Sequence, residues 1–458
     1  MRILRKNKND KIKKSKEIIK KEKEKIRNEK RKIKEEKKEK FYNTKFGKIL
    51  KKITLKTDNT SPISPRHQIF SILYFEFLGF LLCLLILFCL SGGRNFIKLY
   101  TDLYKLINVY DTISNNYYGD LDKDKLIDNA IDSMLSGTGD DYTTYSNQKD
   151  TNSFLETVEG TYDGIGCMVS MNENGNIIIV NVFENSPAKS AGLQVGDIVL
   201  KVDGEDYQGK TSEDMSNYVK NNHKKKVEFI IKRGDEEKNI SVTTKKVEVP
   251  SVTSKVIDSE GKKVGYIDIT IFSSVTYDQF KKQLTELEKK KIQALIIDVR
   301  NDSGGYLNSV TDISSIFLKK GKVIYQLEDN KKKEIIKDKT KESRDYPIAI
   351  LVNAASASAS EILASAIKES YGGLVVGTQT FGKGTVQKTK KLSDGTMIKY
   401  TIQKWLTPNG NWINEVGVTP TNAVAYDTNS TDDNQLQKAI DLLIKKIKWG
   451  PWKVLILS

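Results

Sequence analysis

The chain has 458 residues, with 75 Lys and Arg against 59 Asp and Glu and a formal net charge of +16. Residues 1–66 hold 26 basic and 9 acidic side chains, whereas the other 392 residues hold 49 and 50. A near-neutral body argues against nucleic-acid binding, which needs a basic face there. With three cysteines and two histidines, it also has no disulfide framework or Cys-based zinc site, and only His223 could serve an imidazole-based one.

In chain order, residues 1–68 read as a basic cytoplasmic leader. Glu and Lys recur near i,i+4 spacing over Lys11–Lys40, which predicts a charged, solvated helix that buries no core. Its charge suits contact with anionic lipid. Ile69–Leu90 is an apolar run of 22 residues with a single charge, Glu76. As a helix it is roughly 33 Å long, enough for one bilayer crossing. Dense Lys and Arg on its N-terminal side place the leader in the cytoplasm and the body outside the cell membrane. Ser91-Gly92 offers small residues after the run, but the run and its leader are too long for a cleaved signal peptide, so an uncleaved anchor is expected.

Residues 91–155 read as a helical region. Leu99, Leu103, Leu106, Ile107, Tyr110 and Ile113 recur at helical spacing as a packing stripe, and a second helix covers about 123–135. Ser136-Gly137-Thr138-Gly139-Asp140 ends it. The pattern turns β-rich from Gly160, with strands at 177–182 and 227–232, and a boundary falls near Val247–Pro250. Beyond it, strands at 264–271, 294–299 and 348–352 alternate with helices at 277–290, 306–318 and 358–369. This predicts an α/β core with a mixed sheet and flanking helices over 247–425. Residues 426–458 hold a last amphipathic helix, 435–446, and the apolar tail Val454-Leu455-Ile456-Leu457.

Four motifs carry chemistry. The first is Tyr162-Asp163-Gly164-Ile165-Gly166, followed by Asn185-Ser186-Pro187-Ala188 and Ala191-Gly192-Leu193-Gln194-Val195-Gly196-Asp197. Glycines at 164 and 166 let backbone N–H groups converge on a carboxylate. The second, Asn301-Asp302-Ser303-Gly304-Gly305, follows a buried strand, where a Gly-Gly turn brings amides close to a ligand. It reads either as an oxyanion donor loop or as a tight turn. The third, Ser356-Ala357-Ser358-Ala359-Ser360-Glu361, presents three hydroxyls at a strand-to-helix junction, with helix capping as the plainer reading. The fourth is Thr380-Phe381-Gly382-Lys383-Gly384-Thr385-Val386-Gln387. Gly377 to Lys383 matches most of a phosphate-binding loop, but Gly384 stands where the magnesium-binding hydroxyl belongs, and a strand follows instead of a helix. A buried Lys383 can instead lose its proton and act as base to a serine. Bringing a lysine from about 10.4 to near 7 takes roughly 4–5 kcal/mol. Lys383 and Gln387 share a strand face, so Gln387 can orient the amine. The motifs alone leave Ser356, Ser358 and Ser360 as equal candidates.

The first motif and its partners resemble a PDZ domain over about residues 160–246. The resemblance implies that Gly164, Ile165 and Gly166 form the loop that takes a peptide's C-terminal carboxylate. The whole order of motifs resembles the carboxyl-terminal processing (tail-specific) protease family over about residues 94–445. That resemblance implies a serine endopeptidase with Ser358 as nucleophile, Lys383 as base and Gln387 as third member. It further implies oxyanion donors at the amide of Ala359 and that of Gly304 or Gly305. The organisation expected is then leader 1–68, transmembrane helix 69–90, helical region 91–155, PDZ domain 156–246, peptidase core 247–425 and C-terminal segment 426–458. Its partners would be the C-terminal tails of protein substrates, with no cofactor, metal or nucleic acid and room for a homo-oligomer. Where some bacterial members carry Arg-Gly after the PDZ helix, this chain has Val219-Lys220-Asn221-Asn222-His223, and Lys220 lacks the planar fork of arginine. The alternative function is a membrane-tethered peptide-binding scaffold with an inactive protease fold. Lys-, Ile- and Asn-rich composition fits a bacterial source.

Overall fold

A computed structural model describes residues 21–37, 39–40, 43–44, 48, 65–90, 96–221 and 225–449. His223, Ser91-Gly92 and the tail 454–457 lie outside the described residues, as does most of the leader beyond 21–40. The chain divides into two units, Met1–Leu121 and Asp122–Ser458.

In the first unit, residues 21–37 are helical and exposed throughout, as their charge pattern requires. Helix α1 (Pro65–Leu90) contains the apolar run, and its side chains are described over 73–89. There Leu73, Phe77, Phe80, Leu85 and Phe88 are exposed. Among the described residues no helix is long and apolar enough to cross a membrane, so the span expected at 69–90 is not recovered as such. Helix α2 (Phe96–Asn116) carries the apolar stripe, yet Leu99, Leu103, Leu106 and Ile107 stay exposed instead of packing within the chain.

The second unit opens with α3 (Lys123–Ser136), capped by the Asp122 side chain at the Lys125 amide. A strand then interrupts the expected helical region. β1 (Thr144–Ser146) pairs antiparallel with a strand far along the chain, Thr144 opposite Lys399. Three residues carry too little periodicity to announce such a long-range partner. Helix α4 (Gln148–Glu159) follows and ends at Gly160, whose φ of +67° suits a helix C-terminus.

The β-rich segment is an antiparallel sheet. It runs from β2 (Thr161–Gly164), β3 (Cys167–Met171) and β4 (Ile177–Val182) through the short α5 (Pro187–Ala191), β5 (Ile198–Val202) and β6 (Glu205–Asp206). Helix α6 (Ser212–Asn221) and strands β7 (Lys226–Arg233), β8 (Glu236–Thr243) and β9 (Lys245–Glu248) complete it. The strand order is β3-β4-β5-β7-β8, with β6 on β5. Alternate side chains face inward, so Ile177, Ile179, Val199, Phe229 and Ile231 form one core. β2 pairs with β9, Thr161 opposite Glu248, as a two-stranded neck that brings the segment's ends together.

The last stretch builds two sheets. It contains β10 (Val252–Ser259), β11 (Lys262–Ile269), α7 (Thr276–Lys289), β12 (Ala294–Asp298), α8 (Leu307–Phe317), β13 (Val323–Glu328) and β14 (Lys333–Lys337). It continues with β15 (Ile348–Val352), α9 (Ala359–Ser365), a π-helical turn (Ala366–Tyr371), β16 (Leu374–Gly377), β17 (Thr385–Lys391), β18 (Met397–Leu406), β19 (Asn422–Ala423) and α10 (Asn434–Trp449). One sheet runs β10-β11-β12-β15-β16-β19, parallel from β11 onward. All five residues of β12 and of β15 are buried, as continuous apolar strands require when helices cover both faces. Phe280, Leu284 and Leu287 of α7 cover one face, and Ala439, Ile440, Leu443 and Ile444 of α10 the other. The second sheet, β1-β18-β13-β14 with β17 on β18, is antiparallel.

Phe280 is fully buried and meets Phe317 edge-on at 5.9 Å between ring centroids. Phe280→Ala is expected to lower stability by about 3–5 kcal/mol, read as the shift of the urea unfolding curve of the intact chain.

Candidate active site

β12 and β15 are parallel neighbours, Asp298 opposite Leu351. Loops at the carboxyl ends of such strands are where an α/β sheet offers a crevice to a ligand. The two loops here are stitched together. Asn301 N–H donates to Asn353 Oδ1 at 3.0 Å, and Asn353 Nδ2 returns a bond to Asn301 Oδ1 at 2.8 Å. Ala357 N–H reaches the Asp302 carbonyl at 3.0 Å.

This stitching separates the three serines. Ser356 is fully buried and donates its hydroxyl to the Val299 carbonyl at 2.7 Å. Ser360 is equally buried and donates to the Asp302 carbonyl at 3.0 Å. Both hydroxyls are structural. Ser358 is half-exposed, and no carbonyl takes its hydroxyl. Its backbone lies at φ 54°, ψ −110°, a strained conformation for a residue with a Cβ.

Gly304 and Gly305 crowd that elbow. A Cβ on Gly304 would stand 2.6 Å from the Ala357 carbonyl oxygen and 2.8 Å from both Ala359 N and Ser358 Cβ. One on Gly305 would stand 2.1 Å from the Phe272 carbonyl oxygen. Only glycine permits this approach. Phe272 N–H donates to the Gly304 carbonyl at 3.0 Å, and Tyr306 N–H to the Phe272 carbonyl at 2.6 Å. The Gly304 amide is taken by Asp302 Oδ1 at 2.8 Å. The amides of Gly305 and Ala359 have no partner among the described residues.

Lys383 reaches the same place from the loop after β16, and Glu361 joins the two segments. Glu361 is fully buried and accepts four hydrogen bonds. Oε1 takes the Thr380 hydroxyl at 2.6 Å and the Gly382 amide at 2.7 Å. Oε2 takes the Ser358 amide at 2.8 Å and the Lys383 amide at 2.9 Å. Burial pushes its pKa up while these donors pull it down, and burial prevails. The indole N–H groups of Trp405 and Trp412 hold the carbonyls of Lys383 (2.8 Å) and Gly384 (2.9 Å). The Lys383 backbone is therefore fixed on both sides.

The Lys383 side chain is half-buried. Burial lowers its pKa below the ordinary value, and Lys399 lowers it further, against Glu361 and Asp140. Nζ lies 4.9 Å from the centroid of the Tyr142 ring and makes no hydrogen bond to Ser358 Oγ. Gln387 Nε2 donates to the hydroxyls of Thr385 (2.8 Å) and Thr401 (3.2 Å), not to Lys383. Lys383 lies before β17 begins, so the strand alternation that pairs Gln387 with Thr385 does not extend to it. Sequence reading missed Asp140 and Tyr142, which come from the turn before β1. Burial raises the Asp140 pKa, but the Thr143 and Thr401 hydroxyls and the Tyr142 amide outweigh it and hold the carboxyl low. In the sequence, Gly139-Asp140 signals only a helix stop.

In the β-rich segment, Gly164 closes β2, Ile165 is buried, and Gly166 adopts φ +79° with Ser186 Cβ 2.4 Å from the site of a Cβ. Of the three, Ile165 lines a cavity of 390 Å³, with Cys167, Phe183, Met215 and Val219 on one side and Val249 and Ile271 on the other. Burial pushes the Cys167 thiol up to about 12. Lys220 pairs with Glu156 at 2.5 Å at the cavity's edge and lies 5.4 Å from the Tyr162 ring centroid. Among the described residues no group of His, Cys, Asp and Glu is placed to hold a metal ion.

Sequence profiles match along the chain in the same order. Residues 92–151 match the activating protease CtpB N-terminal domain, 164–244 a PDZ domain and 263–424 peptidase family S41. The chain is 40% identical over 323 residues to the carboxy-terminal processing protease CtpB of Bacillus subtilis (strain 168), covering 70% of this chain and 67% of that protein. It is 36% identical over 323 residues to a probable CtpA-like serine protease of Staphylococcus aureus (strain COL), covering 70% and 64%. It thus spans about two thirds of the length of these relatives. The photosystem II D1 C-terminal processing protease superposes with a TM-score of 0.43 at 26% identity, covering 74% of this chain and 90% of that one.

Glu361→Ala is expected to leave four buried donors unsatisfied and to cost at least about 3 kcal/mol. Urea unfolding reads the loss, and hydrogen exchange should show the amides of Ser358, Gly382 and Lys383 exposed. Unchanged protection at those amides would refute the anchoring role.

Proposed function

This chain belongs to peptidase family S41 and carries a PDZ domain, and on that premise we propose that it cuts protein substrates near their C-termini with Ser358 as nucleophile and Lys383 as base. The observation that carries this reading is the contrast among the three serines: two hydroxyls are buried and bonded to carbonyls, and the third is half-exposed beside two unpaired amides.

In this mechanism the neutral Lys383 amine takes the Ser358 proton as Oγ attacks the scissile carbonyl. The amides of Ala359 and Gly305 hold the tetrahedral oxyanion. Lys383 then gives its proton to the leaving amine, and water releases the acyl group from Ser358. The step requires Nζ to leave the Tyr142 ring and come within hydrogen-bond reach of Ser358 Oγ. Gln387 supports the strand that follows Lys383 through the Thr385 and Thr401 hydroxyls. A substrate's tail lies between β3 and α6, with its carboxylate at Gly164-Ile165-Gly166 and its last apolar side chain in the cavity. We further place the chain on the cell membrane through residues 69–90, with its N-terminus cytoplasmic and the peptidase outside. The apolar run and its one-sided Lys and Arg flank support that topology.

The test is cleavage of a tail peptide by the intact chain in detergent. Ser358→Ala and Lys383→Ala should each lower kcat/KM by at least about 10³-fold; equal turnover in all three proteins would overturn the assignment. On the acid side turnover should rise with pH as the Lys383 ammonium gives up its proton, a limb displaced below the 10.5 of an ordinary lysine. Amidating the peptide's C-terminus should raise KM with little change in kcat, because it removes the carboxylate without touching the scissile bond.

A further inference from the structure

Asp302 has no part in the mechanism above, yet it sits directly behind the turn that supplies one oxyanion donor. Its side chain is fully buried. Oδ1 accepts the Gly304 amide at 2.8 Å, and Oδ2 is buried without a hydrogen-bond partner. We propose that Asp302 is a positioning residue of the oxyanion turn, that it acts as the neutral acid, and that its ionisation switches the site off; this rests on the oxyanion reading given above.

The geometry supplies the reasons. By taking the Gly304 N–H, Asp302 turns that donor away from Ser358 and leaves the Gly305 N–H as the open one. A buried carboxylate is tolerable when several donors or a cation meet it. Here one amide does so, and no ion pair includes Asp302 among the described residues. The groups facing it from neighbouring elements do not favour charge. Asp268 on β11 is itself acidic, and burial raises its own pKa. Ser360 on α9 lies beside the carboxyl but gives its proton to the Asp302 carbonyl oxygen. Arg300, two residues away, is held by Asp298, Asp433 and Gln435. Glu361 on α9 faces the opposite loop, bonded to the amides of Ser358, Gly382 and Lys383. Burial therefore dominates and pushes the Asp302 carboxyl up to about 8, although the Gly304 amide and the Ser360 hydroxyl act to lower it. Above that pH a negative charge appears behind the turn that must hold another negative charge, and the transition state loses stabilisation.

The experiment uses the full chain and a tail peptide. In the wild type, kcat/KM should fall on the alkaline side with a midpoint near 8. Asp302→Asn keeps an acceptor for the Gly304 amide and cannot ionise. It should hold wild-type activity at pH 7 within about threefold and lose the alkaline fall, while Asp302→Ala should lose about 10–100-fold in kcat at little change in KM. An alkaline limb in Asp302→Asn with the wild-type midpoint would overturn the proposal. A second measurement does not depend on catalysis. The folded protein holds this proton up to about 8 and the unfolded chain only to 3.8. Folding stability should therefore fall as pH rises between those values and level off above. Urea unfolding should show a shallower fall in Asp302→Asn, and an equal slope in both proteins would overturn the proposal. Activity surviving in Ser358→Ala would refute the nucleophile reading while leaving this second comparison intact.

Discussion

One buried carboxylate sets the site. Glu361 ties the amide of Ser358, on the loop after β15, to the amides of Gly382 and Lys383, on the loop after β16. Besides it, the two segments, 25 residues apart, are joined by the Phe381 N–H, which donates to the Ser356 carbonyl at 3.0 Å. Placing a charge-capable group at full burial is costly, and it is sustained here because all its donors are main-chain or hydroxyl groups with nowhere else to bond. One of the four bonds, from the Ser358 amide, meets Ser358 in a conformation its Cβ disfavours. The strain at the elbow and the burial of Glu361 are thus two sides of one arrangement.

Around that fixed point the chain uses close approach. Gly304 and Gly305 let the loop after β12 press onto Ser358 and onto Phe272, at distances no side chain survives. Two tryptophans hold the other loop by its carbonyls. The Lys383 side chain, by contrast, lies over the Tyr142 ring with its Nζ 4.9 Å from the centroid. A site built this way fixes its backbone donors before any ligand arrives.

Much of this was legible in the sequence, for identifiable reasons. The strands at 177–182 and 348–352 announce themselves because uninterrupted or alternating apolar runs dictate burial. The glycine pair and the Gly-Lys-Gly turn mark tight backbone. What was hidden depends on partners far along the chain. Thr144–Ser146 becomes a strand only because β18 is there to pair with it, and with it come Asp140 and Tyr142. Glu361 looked like a helix-capping residue, which it is through the Ser358 amide, but its second oxygen serves Gly382 and Thr380. A period-two count does not show that the strand starts only at Thr385, or that the Gln387 amide is taken by the Thr385 and Thr401 hydroxyls. The helix expected to run to Glu369 passes into a π-helical turn at Ala366, a register change no propensity encodes. The exposed stripe of α2 shows the converse, a pattern that promises burial and finds none within its own chain.

The neck formed by β2 and β9 has a consequence for how the molecule is assembled. Val249 N–H donates to the Gly160 carbonyl at 2.8 Å, so the chain leaves the peptidase half and re-enters it at almost the same point. The PDZ segment is a guest in a host fold that is continuous in space though interrupted in sequence. Because the entropy of closing a loop grows only logarithmically with its length, the host bears little extra cost for a guest of this size. Recognition and cleavage can therefore diverge separately: the guest can be lengthened, retuned or exchanged between these two strands while the host keeps its register.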